Sequence, residues 1–135
     1  MDEEVFIDTN IFLEIFLDQE NADNCEKILK SLHEKNNRPV TSDFVAYSCL
    51  VAIERNLKSA KSLRNAIIFF TSYSGLHILR PSLEDAYHAT KFMEEYTLDF
   101  DDSLVVACME NNNIKKIASL DKHFDKVKGI ERIKL

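Results

Sequence analysis

A chain of 135 residues, of which 45% are apolar and 30% charged, has the length and composition of one soluble domain, and we expect that domain to span residues 1–135. With two glycines the chain lacks the Gly-rich loops of nucleotide-binding proteins, and since no apolar run predicts a signal peptide or a membrane anchor, we expect a cytoplasmic protein. The net charge of −6 argues against a protein that coats nucleic acid in general, but it is compatible with a nuclease, whose cation-binding carboxylates add to the acidity.

Short apolar strands alternate with helices along the chain, which is typical of an α/β fold with a parallel sheet covered by helices on both faces. The run Phe44–Ile53 is apolar nearly all round and predicts a central, buried helix, with Ser42 as its N-cap. A further helix starts after Ser82, and the residues that we expect on its inner face are Leu83, Ala86, Tyr87, Thr90 and Met93. The other predicted elements are strands over 4–8, 39–41, 76–79, 116–119 and 129–133, and helices over 11–17, 22–35, 59–73 and about 103–111.

Acidic residues stand at three junctions between these elements. Asp8 ends the first strand, Asp102 precedes a helix, and Asp121 follows the fourth strand. Taken singly, each is more simply explained as a helix cap or a turn residue. Because parallel strands present their carboxyl ends at one edge of the sheet, we nevertheless expect the three carboxylates to converge. Such an oxygen-only set suits Mg²⁺ or Mn²⁺ rather than zinc, since none of the four histidines has metal-binding spacing.

The segments around these acids resemble the motifs of the PIN-domain family, particularly the VapC-type toxin ribonucleases of prokaryotic toxin–antitoxin pairs. Phe6–Asn10 is similar to the family's opening strand, which ends in Asp-Thr/Ser-Asn. Asp102–Ala107 is similar to its Asp-Ala-Leu-Ile-x-Ala helix start, and Ser119–Asp125 to its Thr-x-Asp-x-x-Phe closing motif. The resemblance implies a parallel sheet of order 3-2-1-4-5 and an endoribonuclease, dependent on Mg²⁺ or Mn²⁺, that acts as a toxin.

The resemblance also assigns roles to individual residues of this sequence. It implies that Asp8, Asp102 and Asp121 are catalytic, metal-binding acids, and that Asp101 is a fourth acid that attracts a second ion. Asn10 and Ser119 would orient these acids, and Asp125 would be an accessory acid.

One position departs from the family pattern. The family usually has a Glu in the helix after the second strand, where this chain has Ser48. A neutral hydroxyl is a poorer ligand for a hard cation, and neither Asp43 nor Glu54 is spaced to replace it on the same helix face. We therefore expect three core acids, or three with Asp101 compensating, and weaker metal affinity.

Two other classes of function compete with the ribonuclease. A PIN-like domain whose site is weakened or inactive would serve as an RNA- or protein-binding module, and Ser48 and the acidic charge favour that alternative. Phosphatases and receiver domains also place acids at strand ends. A phosphatase of the haloacid-dehalogenase type needs an Asp where Asn10 stands, however, and Asp101–Asp102 is in the wrong place for the acidic pair of a receiver.

The implied partners are an RNA substrate, a small antitoxin protein and a second copy of the chain in a homodimer. Lys122, Lys126 and Lys128 lie near Asp121 in the sequence and are either phosphate contacts or solvated surface residues. The apolar helices at 44–53 and 63–70 either supply an interaction surface or belong to the core. The sequence identifies neither the target RNA nor the antitoxin.

Overall fold

The computed structural model describes residues 3–133, which fold around a five-stranded parallel sheet of order β3-β2-β1-β4-β5. The predicted strand order is therefore confirmed. The strands are β1 (Glu4–Ile7), β2 (Arg38–Ser42), β3 (His77–Leu79), β4 (Lys116–Ala118) and β5 (Glu131–Arg132). The helices are α1 (Thr9–Phe16), α2 (Ala22–Glu34), α3 (Asp43–Leu57), α4 (Ala60–Ser72), α5 (Leu83–Tyr96) and α6 (Phe100–Asn111), and a 3₁₀ helix at Lys122–Lys126 follows β4. None of the helices in residues 3–133 has the length and hydrophobicity needed to cross a bilayer.

The central strand β1 determines where the junctions lie. It pairs with β2 on one side and with β4 on the other, and its last residue, Ile7, stands opposite Ala118. The backbone N–H of Asp8 extends this ladder by donating to the carbonyl of Ala118 at 3.0 Å. Asp8 and Ser119 therefore leave neighbouring strands side by side, at the carboxyl edge of the sheet.

The buried helix is α6, and the prediction that α3 is the central helix was wrong. Seven consecutive residues of α6, Ser103–Met109, are buried, whereas Tyr47 and Val51 of α3 are 67% and 51% exposed. Helix α6 is covered by α5. Helix α3 packs against α1 and α4 and leaves its other side open to solvent. Its run of apolar residues is therefore only about half buried.

The predicted inner face of α5 was wrong for Leu83, Tyr87 and Thr90, which are exposed, whereas Ala86 packs against the core as predicted. Leu83 and Tyr87 are 90% and 72% exposed, while Ala89 and Phe92 are buried. The predicted start of the helix is confirmed, since the Ser82 hydroxyl accepts from the backbone N–H of Asp85 at 3.1 Å. Apolar residues occur on both sides of this helix, so their spacing alone does not show which side meets the core.

Candidate metal centre

An acidic cleft of about 230 Å³ opens at the carboxyl edge of the sheet. It brings together Asp8, Asp102 and Asp121, the three acids that were expected to converge, and it also contains Asp101 and Asp99. None of the side chains that line it, within residues 3–133, is basic. The lining residues are Asp8, Thr9, Asn10, Leu13, Phe44, Val45, Ser48, Asp99, Asp101, Asp102, Val105 and Asp121.

Asp8 is held at the floor of the cleft by hydrogen bonds to both of its carboxylate oxygens. Its Oδ1 accepts from the backbone N–H of Thr9 at 2.8 Å, which makes Asp8 the N-cap of α1. Its Oδ2 accepts from the Ser119 hydroxyl at 2.7 Å and from the Asn10 amide at 3.2 Å. Only 5% of Asp8 is exposed, so its orientation is determined by the end of β1 and by these neighbours.

Ser119 and Asn10 connect the ends of β1 and β4. The Ser119 hydroxyl accepts from the backbone N–H of Asp121 at 3.0 Å and from the Asn10 amide at 3.2 Å, while it donates to Asp8. The Asn10 side-chain oxygen accepts from the backbone N–H of Leu120 at 3.0 Å. Both residues thus have the contacts that an orienting role requires.

Asp102 reaches the cleft from the first turn of α6. This helix begins at Phe100, three residues before the predicted start, because the side chain of Asp99 caps it by accepting from the backbone N–H of Asp102 at 2.9 Å. Sequence reasoning did not count Asp99 among the site residues. The sequence did contain a signal for Asp99, since an Asp directly before the first residue of a helix is a common N-cap.

The carboxylates of the cleft repel one another. The pKa of Asp102 is raised from 3.8 to about 8. The causes, largest first, are burial, the negative charges of Asp8, Asp99 and Asp121, and a hydrogen bond to Asp121 that favours the protonated form. Burial also raises the pKa of Asp8, and the hydrogen bonds from Ser119 and Thr9 oppose that shift. A divalent cation with oxygen ligands would relieve this repulsion, so the donor set fits Mg²⁺ or Mn²⁺.

His123 lies beside two acids of the cleft, although the sequence analysis assigned no metal-binding position to any histidine. One atom each of Asp102, Asp121 and His123 lies within 4.8 Å of the other two. Nδ1 of His123 is 3.1 Å from Oδ1 of Asp121. The prediction missed His123 because the 3₁₀ turn, which folds His123 back onto Asp121, was not anticipated.

Asp125, predicted as an accessory acid, is not among the residues that line the cleft. Its carboxylate accepts from Nε and a terminal nitrogen of Arg132 at 2.9 and 3.1 Å. The other terminal nitrogen of Arg132 donates to the carbonyl of Ser119 at 3.3 Å. The pair therefore attaches the segment that carries Asp121 to β5.

Ser48 lines the cleft, at the position where a Glu was expected. Neither Asp43 nor Glu54 is among the lining residues, which agrees with the helix-face argument against both. The three predicted phosphate contacts are also absent from the described lining, and all three are exposed: Lys122, Lys126 and Lys128.

Comparison with known proteins places these observations in a wider context. The PIN domain model matches residues 5–130. The fold is similar to that of VapC20 from Mycobacterium tuberculosis, a Sarcin-Ricin loop cleaving toxin, with a TM-score of 0.76 and 14% identity over 90% of this chain and 92% of that one. It is also similar to a chain of VapBC2 from Rickettsia felis, a structure solved with a DNA fragment from the VapBC2 promoter. The TM-score is 0.74, and the two sequences are 18% identical over 96% of this chain and 97% of that one. A toxin–antitoxin complex from Klebsiella pneumoniae contains another similar chain, with a TM-score of 0.68 and 16% identity over 94% of this chain and 95% of that one. The search of curated protein sequences gave no match.

Proposed function

The chain belongs to the PIN domain family, and from this premise we propose that it hydrolyses RNA phosphodiester bonds with Mg²⁺ or Mn²⁺ as the toxin of a toxin–antitoxin pair. The observation that carries the proposal is the convergence of Asp8, Asp102 and Asp121 on one cleft whose described lining contains no basic side chain. The similarity to chains of toxin–antitoxin complexes supports the biological role.

In this proposal the acids of the cleft have different roles in metal binding. Asp102 and Asp121 would hold the ion together with Asp8, while Asp99 and Asp101 add negative charge around them. When bound, the ion would activate a water molecule and neutralise the charge that develops on the phosphodiester. Asp102 has to release its proton before it can bind a cation, so cation binding is expected to displace that proton into solvent.

Cleavage of single-stranded RNA tests the proposal. The wild-type protein is expected to cleave it when Mg²⁺ or Mn²⁺ is present and to stop when the ions are chelated. Asp8→Asn should abolish the activity, because it removes a charge from the floor of the cleft, whereas Asp18→Asn is a matched exchange at an exposed position and should not. Activity that survives in Asp8→Asn would point to a contaminating nuclease.

The second candidate function is that of a binding module without turnover, which Ser48 favours. Its neutral hydroxyl lines the cleft where the family usually has a carboxylate. RNA that binds in the presence of Mn²⁺ and stays intact, with Ser48→Glu gaining cleavage, would select this alternative.

For the antitoxin we propose a groove between α2 and α4. It has a volume of about 540 Å³ and an apolar floor formed by Ile15, Leu29, Phe69 and Tyr73. Its rim carries charges of both signs, on Asp23, Glu26, Lys27 and Lys30. An amphipathic segment of a small antitoxin would bury its apolar side on this floor. Reversing the two exposed charges of the rim, in Lys27→Glu with Lys30→Glu, should weaken co-purification with a co-expressed antitoxin and leave the RNA cleavage of the isolated toxin unchanged.

For the homodimer we propose the apolar surface shared by α3, α5 and the start of α6. Tyr47, Leu83 and Phe100 line one cavity of about 360 Å³, and Tyr47 and Val51 line the adjoining one. These side chains are between 37% and 90% exposed, which is costly for a monomer. Light scattering should give twice the chain mass for the wild type and the single chain mass for Leu83→Asp.

A further inference from the structure

We propose that His123 supplies an imidazole nitrogen to the metal centre and thereby makes it bind Mn²⁺ in preference to Mg²⁺. The inference rests on the proposed function, since it requires that Asp102 and Asp121 hold a divalent ion. It goes beyond that function because the sequence predicted oxygen ligands alone, which do not distinguish the two cations strongly.

The spacing of the three side chains matches the coordination sphere of one ion. In an octahedral site with bonds of about 2.1 Å, adjacent ligand atoms lie about 3 Å apart and opposite ones about 4.2 Å. His123 Nδ1 and Asp121 Oδ1 are 3.1 Å apart, as two adjacent ligands would be. One ligand atom each of Asp102, Asp121 and His123 lies within 4.8 Å of the other two. No large movement is needed to bring the three atoms around an ion.

The local backbone holds His123 in this position. Asp121 is the N-cap of the 3₁₀ helix, and its Oδ1 accepts from the backbone N–H of His123 at 2.9 Å. The next residue, Phe124, is fully buried and anchors the turn to the core. The His123 side chain itself is 69% exposed, so its ring is accessible to an ion from solvent.

The chemistry of the two cations gives the expected selectivity. Mg²⁺ prefers oxygen ligands and gives up its waters reluctantly, so a nitrogen donor adds little to its affinity. Imidazole suits first-row transition metals, and a mixed set of nitrogen and oxygen donors therefore favours Mn²⁺ over Mg²⁺. Without the imidazole, the site would return to a set of carboxylates with weak discrimination.

The test measures metal binding on the whole chain. Isothermal titration of the wild type and of His123→Gln with Mn²⁺ and, separately, with Mg²⁺ gives the selectivity, and spin-echo spectroscopy of bound Mn²⁺ detects a coordinated nitrogen directly. His88→Gln is the matched control, since His88 forms a comparable pair with Glu110, at 3.3 Å, outside the cleft. We expect His123→Gln to bind Mn²⁺ about tenfold more weakly with Mg²⁺ affinity unchanged, and to lose a nitrogen signal that the wild type and His88→Gln both show.

Three outcomes would overturn the inference. Tight Mn²⁺ binding by the wild type without a nitrogen signal would show that His123 is not a ligand, and it would leave the proposed function intact. An equal loss of Mg²⁺ and Mn²⁺ affinity in His123→Gln would show a general effect on the site instead of selectivity. If neither ion binds the wild type, the metal centre and the proposed function fail together.

Discussion

In the metal-free protein, we predict that replacing Asp102 by Asn reduces the loss of stability that the wild type undergoes between about pH 4 and pH 8. The pKa of this carboxyl is about 8 in the folded protein, against its ordinary value of 3.8. Between these values the folded state retains a proton that the unfolded state has released. The contribution of Asp102 to stability is therefore complete below about pH 4 and is lost as the pH rises through about 8.

The magnitude follows from the number of protons involved. A full proton difference would change the free energy of unfolding by about 1.4 kcal/mol per pH unit. Asp102 is only partly buried, so solvent screens its neighbours, and we expect about half of the total change in free energy that this slope would give over the whole pH range. Asn has nearly the size of the protonated carboxyl and no charge, so Asp102→Asn should match the wild type near pH 4 and exceed its stability near pH 8.

Urea denaturation with EDTA, repeated across this pH range, measures the difference. Asp18→Asn is the control for loss of one exposed carboxylate, and it should keep the wild-type slope. Asp8 has a raised pKa too, so a smaller slope of the same sign should remain in Asp102→Asn. Saturating Mn²⁺ should flatten the wild-type curve, because a bound cation offsets the repulsion. Parallel curves for the wild type and Asp102→Asn would refute the argument.

Three further predictions concern the surroundings of the acids. Ser48→Glu should tighten Mn²⁺ binding about tenfold in isothermal titration, whereas Ser48→Ala should leave the affinity unchanged. Equal Mn²⁺ affinities of Ser48→Glu and Ser48→Ala would mean that the absence of a carboxylate at position 48 does not weaken the site. Ser119→Ala removes the 2.7 Å hydrogen bond to the buried Asp8 and should lower the free energy of unfolding by about 1–3 kcal/mol in urea; an unchanged midpoint would contradict this. Arg132→Met should weaken Mn²⁺ binding in isothermal titration, because Arg132 links Asp125 to the carbonyl of Ser119, close to Asp121 in the sequence, and Asp125→Asn should have the same effect; an unchanged affinity in both variants would contradict this.

The sheet and the acids could be predicted from the sequence because their signals are local. Apolar runs of strand length mark β1 and β4, and the residues that follow them, Asp8 and Ser119, inherit their place at the carboxyl edge from the topology. The strand order came from the resemblance to the PIN-domain family. Periodicity alone would have left several orders open.

The errors arose where burial depends on distant parts of the chain. Helices α3 and α6 are both rich in apolar residues, but α6 is covered by α5 while one side of α3 stays open. No local pattern states which helix will be covered. His123 was missed for a related reason, since a 3₁₀ turn of five residues has no strong sequence signature and yet places an imidazole against Asp121.

The sequence posed helix capping and metal binding as alternatives for each acid, but the structure shows that one carboxylate can serve both purposes. Asp8 caps α1, Asp99 caps α6 and Asp121 caps the 3₁₀ helix, each with Oδ1. Helix N-termini carry partial positive charge, so the three caps offset part of the repulsion in the cleft before any cation binds. An Asn keeps a capping oxygen and loses the negative charge. Asp121→Asn should therefore retain the turn and lose the ion, which separates the two roles more cleanly than a change to Ala.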